Sequence, residues 1–274
     1  MSGYLLGLLL LGGSVGLAGE EEKRFERAAA DEISSRLDGS NRKVSVNARP
    51  NGLAAAWGEI ESVTIKASNF STNGLPLHTE PERSKKGIAR KLRLELRDFV
   101  LAGLEVESLD AEFSACRFDF AEALAHRRFR LSRCGPGKTS VRVRAEALLP
   151  FLLAKYPEIT QINVKVDRGH VWVEGRGTFL VVTTGFTVIA RLGIEGGDKL
   201  VLTEAKVWFD WRRTDPMTAQ VVLDELNPVV DLSRDLNLEG AMTIERIELP
   251  DGAIVASGTA QIPVKAASAG TSKE

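Results

Sequence analysis

The spacing of apolar residues changes period several times along this chain. Phe25, Ala29, Ile33 and Leu37 recur every four positions, which puts them on one face of a helix, and Gly39 supplies a stop. An amphipathic helix of about five turns is expected. From Arg42 the period drops to two: Val44, Val46 and Ala48 alternate with polar neighbours, then Val63, Ile65 and Ala67, then Leu92, Leu94 and Leu96. Each set predicts a strand with one apolar face, the opposite face being charged in the third. Before the third set, "NFSTNGLPLHTEPERSKKGIARK" is rich in Pro, Gly and Asn and predicts a long loop. In "LEVESLDAEFSACRFD" the apolar phase slips between Val106 and Leu109, the mark of a bulge where a strand bends. A short helix over "FAEALAHRRF" follows.

Next, "TSVRVRAEALLPFLLAKYPEI" turns from strand alternation at Val141 and Val143 into a helix that carries Leu148, Leu149, Phe151, Leu152, Leu153 and Tyr156. Apolar side chains surround most of that helix, so it has to be covered by a sheet or by a ligand. Pro150 inside it predicts a late start or a kink. The rest reads mainly as strand. "QINVKVDRGHVWVEG" is a hairpin turning at Asp167 to Gly169, and "GTFLVVTTGFTVIARL" is apolar on both faces around Val181 and Val182. "KLVLTEAKVWFDW" puts Val201, Ala205, Val207, Phe209 and Trp211 on one side. A helix over "DPMTAQVVLDELN" starts with Asp215 as N-cap and Pro216 in the first turn, and must stop before Pro228. A final hairpin turns at Asp251-Gly252.

The 274 residues carry 36 Lys and Arg against 37 Asp and Glu, a formal net charge of −1. Such a balance provides no long-range field to gather nucleic acid, so charge-driven binding must come from local patches. One patch ends the long loop: Arg83, Lys85, Lys86 and Arg90. It suits anionic lipid headgroups, where each basic group adds about 1 kcal/mol, although a solvated loop is the reading the sequence alone favours. The start, "MSGYLLGLLLLGGSVGLAG", has an uncharged apolar run followed by Glu20, Glu21 and Glu22. It reads as a secretory leader cleaved after Ala18, with an uncleaved anchor as the alternative because no Lys or Arg precedes the run. The expected organisation is therefore a leader over 1–19, one domain over 20–265 and a disordered tail over 266–274, in a protein exported to the periplasm or the outer face of the cytoplasmic membrane. Export permits Cys116 and Cys134 to pair, and two free buried cysteines fit the sequence as well. His78, His126 and His170 are scattered, so no metal or cofactor is expected.

One segment resembles a catalytic cluster: "DELNPVVDLSRDLN", Asp224 to Asn237. Asn227-Pro228 ends a helix there, and the acids and serine that follow suit a solvated crossing toward the last hairpin, which is the reading adopted. Two short motifs are chance matches. "GGSVG", Gly12 to Gly16, fits the nucleophile-elbow pattern but lies in the leader. "GPGKTS" lacks the first glycine of a phosphate-binding loop and runs into a strand where a helix is needed. Most carboxylates alternate with apolar residues as the wet face of a sheet, so no enzyme is expected.

The closing stretch "LDELNPVVDLSRDLNLEGAMTIERIELPDGAIVASGTA", Leu223 to Ala260, resembles the last element of the LmeA family of phospholipid-binding proteins, where a short helix runs into Asn-Pro and a hairpin with Asp-Gly at its turn. "VRVRAEALLPFLLAKYPEI" resembles that family's central strand-to-helix step, and "VDRGHVWVEG" the hairpin after it. The likeness spans roughly Glu20 to Ile262; the long basic loop and Pro150 depart from it. It implies non-catalytic binding of phospholipid in a bacterial cell envelope, in support of lipid or glycolipid metabolism or transport. It brings no signature of lipid-contacting residues.

The pattern itself points the same way, since two or three helices scarcely cover so many one-sided strands. The expected fold is α+β: an elongated, strongly curved antiparallel sheet of the lipid-binding half-barrel type, wrapped around one or two helices. The lipid contacts expected are Leu148, Phe151, Leu152 and Tyr156 from the central helix, with Phe186, Val188, Phe209 and Trp211 from strands, ordinary core being the alternative for each. The expected partners are a phospholipid or similar acyl lipid and, peripherally, a membrane surface. An envelope scaffold that binds protein through its apolar face is the alternative function.

Overall fold

The computed structural model describes residues 15–126, 128–179 and 182–264. Residues 1–14 of the predicted leader, Val181 and the predicted tail lie outside the described residues. Helix α1 (Val15–Ser34) begins within the predicted leader and packs on β1 (Lys43–Pro50). Its apolar stripe is the one the spacing predicts, with Phe25, Ala29 and Ile33 set against the sheet. Glu26 accepts from the Ala48 amide at 2.9 Å. Then come β2 (Glu59–Ser68), β3 (Ser71–Thr72), β4 (Gly87–Leu101) and β5 (Leu104–Phe118). Helix α2 (Phe120–His126), β6 (Leu131–Arg133) and β7 (Gly137–Arg144) lead into α3 (Leu148–Lys155).

The chain continues through β8 (Ile159–Asp167), β9 (His170–Phe179), β10 (Val182–Glu195), β11 (Lys199–Phe209) and β12 (Arg212–Arg213). Helix α4 (Pro216–Leu226), β13 (Val230–Asp231), β14 (Met242–Glu248) and β15 (Ala253–Ala260) complete it. The class is the expected α+β with curled sheets, and the strands divide between two of them. Sheet one runs β1-β2-β4-β5-β7-β15-β14, with β3 on β4 and β6 on β5; sheet two runs β12-β11-β10-β9-β8, with β13 on β11, and curls into a half-barrel. Pairing is antiparallel except where β2 and β3 run parallel to β4. The long connection before β4 makes that possible, because a parallel pair needs a crossover where a tight hairpin will not do. The division itself occurs at α3, where the chain leaves β7 and starts the second sheet with β8.

Bends in the strands set the curvature. At the expected level in β5 the buried side changes from Val106 to Leu109, and β4 slips in step from Leu96 to Phe99, with Asp98 between them at φ 46°. In β11 the register with β10 shifts beside Glu204, which has φ 51°. This bulge turns Leu200 and Leu202 into the same core as Val207, so the single face predicted from Val201 to Trp211 is interrupted. Gly175 in β9 permits another close approach: a Cβ there would lie 2.3 Å from the Gln161 carbonyl oxygen and 2.8 Å from the Phe186 ring.

Helix α3 is entered through a 3-10 turn at Ala145–Ala147, which leaves Pro150 in the first turn of the α-helix, where its missing N–H costs nothing. The far end of α3 is tied down by the segment that resembled a catalytic cluster. Lys155 Nζ donates to Asp235 Oδ2 at 2.5 Å, to the Pro228 carbonyl at 2.8 Å and to the Val229 carbonyl at 3.1 Å, so all three ammonium donors are used. Tyr156 donates its hydroxyl to the Leu226 carbonyl at 2.8 Å. Burial, and after it the Asp235 charge, raise that hydroxyl's pKa and keep it a donor. Asn227 brackets Leu202 of β11, accepting from its amide at 2.7 Å and donating to its carbonyl at 3.2 Å. Asp231 is buried and accepts from the Ser233 and Arg234 amides. The structural reading of this segment therefore stands, but Asp231 and Asp235 are not solvated: Asp235 binds α3, Asp231 folds the loop on itself, and the amide of Asn227 ties the loop to β11.

A second core lies beneath α1 and holds Val63, Leu92, Phe113 and Phe118; Ile33 and Leu109 pack against both cores. There Cys116 and Cys134 form a disulfide across a separation of 18 residues. Replacing both by alanine is expected to lower the unfolding free energy by about 3 kcal/mol, as a shift of the urea midpoint; an unchanged midpoint would show that the crosslink contributes nothing. At the α3 anchor, burial pulls the Asp235 carboxyl up, and the Lys155 hydrogen bond, the Asp231 amide and the Lys155 charge outweigh it and hold its pKa below the ordinary range. Its stabilisation is complete above the unfolded carboxylate range, about pH 4, and is lost as pH falls through the folded value. Asp235→Ala, which strands the buried ammonium, is expected to cost about 3–5 kcal/mol at neutral pH, and Asp235→Asn to flatten the loss of stability below about pH 4. A loss under about 1 kcal/mol would place the pair among ordinary surface ion pairs.

Candidate functional site

Two apolar cavities lie between the sheets and α3. Cavity one encloses about 1050 Å3 of space free of protein atoms, including its opening to solvent. Its walls come from β4 and β5 through Phe99, Leu104, Val106 and Leu109, and from the polar-looking segment after α4 through Leu232, Leu236 and Leu238. A strap over residues 73–79 contributes Leu75 and Leu77. It is fastened at one end where Asn237 donates to the Asn73 carbonyl at 2.9 Å, and at the other where the Thr79 amide donates to the Pro263 carbonyl at 2.8 Å. Among the described lining residues the polar ones are Thr139 and Gln261, and the Thr139 hydroxyl already donates to the Asp110 carbonyl at 3.1 Å.

Cavity two lies inside the half-barrel, between α3 and β8 to β11, with about 600 Å3 free of protein atoms including its opening to solvent. Leu148, Leu200, Val230 and Ile254 line both cavities, so one thin apolar wall separates them. Of the eight residues expected to touch lipid, Leu148, Leu152, Tyr156 and Phe186 come together around cavity two. Phe151 and Val188 are buried in the surrounding core and line neither cavity, and Phe209 is half-buried beside it. Trp211 is placed elsewhere: the chain turns out of β11 at Asp210 and Trp211, with φ 43° and 68°, and leaves the indole in solvent.

The four basic residues expected at a headgroup do not act together. Arg83 is turned to Glu80 and Asp119. Arg90 falls on β4 rather than in the loop, because β4 starts at Gly87, and it pairs with Glu59 at 3.2 Å. Lys85 and Lys86 remain exposed.

The walls dictate what the site can do. Among the described lining residues none is charged, and the Thr139 and Tyr156 hydroxyls are already held by backbone carbonyls, so what the walls offer a guest is chiefly apolar surface. Each methylene moved from water into such a space is stabilised by about 0.8 kcal/mol, and a dozen give roughly 10 kcal/mol before ordering costs. Among the described residues no three of His, Cys, Asp or Glu come together in a way that would hold a metal ion. No described helix is long and apolar enough to cross a membrane. Sequence reasoning missed most of cavity one. Its available signal was the spacing of Leu232, Leu236 and Leu238 inside a segment judged by its acids.

Comparison with known proteins agrees with this geometry. No curated protein matched the chain, and no solved structure did. A family model described as LmeA-like phospholipid-binding matches residues 86–259, from the residue before β4 almost to the end of β15. The matched part holds α3 and most of the cavity walls, and leaves out α1 to β3, the strap with Leu75 and Leu77, and the wall residues from Ala260 on. With well over half of its length matched, the chain belongs to the LmeA-like phospholipid-binding family.

Proposed function

We propose that this protein holds a phospholipid, or a similar acyl lipid, with its hydrocarbon in the two cavities, and performs no chemistry on it. The observation that carries the reading is the lining of cavity one, which among the described residues is hydrocarbon apart from Thr139 and Gln261. The apolar lining continues from cavity one into cavity two across the shared wall of Leu148, Leu200, Val230 and Ile254, which suits hydrocarbon on both sides. Water has no partners on such walls, so an apolar guest is the favoured filling. Family membership supports a phospholipid as that guest. The apolar run at the start supports export, with action in the periplasm or at the outer face of the cytoplasmic membrane, in lipid transport or in the supply of lipid to envelope metabolism. Peripheral contact with a bilayer belongs to the same proposal, because an acyl lipid has to be drawn from one and returned to one.

Purified without detergent, the protein is expected to show in native mass spectrometry an added mass equal to a phospholipid, recovered by organic extraction. Ala256→Phe, on the wall of cavity one, is expected to reduce that lipid while leaving the stability of the lipid-free protein unchanged or higher. In a filled core the same substitution would cost about 1–3 kcal/mol through overpacking. A bare mass together with that destabilisation would mean that the interior is already full, and would favour a scaffold that binds protein.

A further inference from the structure

The half-barrel carries an unusual surface at the end where β11 turns into β12. Trp211 is 89% exposed, Met217 in the first turn of α4 is 80% exposed, and Val221, one turn further along that helix, is 57% exposed. Arg212 and Arg213 are exposed beside them, and neither pairs with a carboxylate among the described residues. The two nearby acids are occupied within the fold. Asp210 accepts from Thr184 Oγ1 at 2.8 Å and the Gly185 amide at 3.1 Å. Asp215 caps α4, accepting from the Met217 and Thr218 amides and from Thr218 Oγ1 at 2.7 Å. The turn therefore presents an indole, a thioether and two guanidinium groups outward, while the exposed Asp210 and Asp215 carboxylates are held by hydrogen bonds of the hairpin and the helix cap and pair with neither arginine.

The backbone adds to the case. Phe209 pairs with Arg212, so Asp210 and Trp211 are the two residues of the hairpin turn, and both have positive φ. Glycine is favoured at the second of these positions, and here it is filled by the most exposed large apolar side chain of the described surface. Indole at headgroup depth beside guanidinium groups that meet phosphate is the combination found on proteins that lie on anionic bilayers. The turn is also continuous with the interior. Phe186 lines cavity two and pairs with Phe209, the last residue of β11 before the turn.

Trp57, 81% exposed and close to the exposed Lys85 and Lys86, is the competing surface. Behind it the protein is filled: Gly58 abuts the Phe120 ring, which meets Phe118, and none of these lines a cavity. We propose that the Trp211–Arg213 turn, with Met217, docks on an anionic membrane surface and is the end through which lipid reaches cavity two. The second half of this statement rests on the lipid-holding reading; the docking does not.

The full chain is mixed with vesicles of brominated phosphatidylcholine containing phosphatidylglycerol as the minority lipid, and quenching of tryptophan fluorescence reports which indole enters the bilayer. Most of the quenching is expected to vanish in Trp211→Phe and to persist in Trp57→Phe. Arg212→Glu with Arg213→Glu is expected to weaken vesicle binding at least about tenfold, and added salt to weaken the wild type in the same direction. Quenching that survives Trp211→Phe, that disappears in Trp57→Phe, or that never develops would overturn the proposal. The Trp211→Phe protein offered phospholipid in detergent micelles is expected to carry lipid still, by native mass spectrometry. A wild type quenched through Trp211 that never carries lipid would keep the docking surface and remove the cavity reading.

Discussion

Lys155 is the point on which the interior depends. Its side chain is 13% exposed and that of Asp235 11%, so the charge is largely out of water and is tolerated because every donor has an acceptor. The anchor fixes the end of α3, an eight-residue helix that leaves the edge of β7. Once α3 is fixed, Leu148 falls on the wall between the two cavities and Leu152 and Tyr156 fall inside the half-barrel. The same loop that supplies Asp235 sends Leu232, Leu236 and Leu238 the other way, into cavity one. One polar segment thus holds the helix with Asp235 and builds the larger cavity with its leucines.

The cavities follow from a mismatch between strands and helices. Two sheets expose inward faces rich in Val, Leu and Phe, and the element set between them is α3, whose buried residues are Leu148, Phe151 and Leu152. A sequence selected only for packing would fill the remaining space with larger side chains, since native interiors reach crystal-like density. Here the walls carry Ala111, Ala241, Ala256 and Ala260, small residues that keep the space open. The two regions of the molecule divide the work. Beneath α1 the core is closed by aromatic rings, Phe118 with Phe120 and Phe129, and by the Cys116–Cys134 bond. Between the sheets the protein leaves room.

Much of the fold was legible from periodicity and turn chemistry. The β8–β9 hairpin turns at Arg168-Gly169, as its sequence indicates, and α4 starts at Pro216 under an Asp215 cap and stops before Asn227-Pro228. These are local rules, satisfied by residues a few positions apart. What escaped depends on long-range placement. The Glu204 bulge interrupts the face of β11 and has no Gly or Pro to announce it, so Leu200 and Leu202 join the core that the pattern gave to Val201 and Ala205, and the turn at Asp210 and Trp211 carries the indole away from the side on which it was expected. Asp235 looks like a solvated loop residue because its partner Lys155 lies 80 residues away. The site had no motif to find, since hydrocarbon is recognised by area and shape, and any buried leucine contributes the same signal.

The central claim is that hydrocarbon from outside the chain completes the interior. A crystal structure of protein purified without detergent tests it most directly. The account predicts continuous tubular density in cavity one and in the half-barrel, running between Leu148 and the leucines of the closing segment. Side chains from α3 and the two sheets meeting across both spaces, with no density beyond the polypeptide, would contradict it.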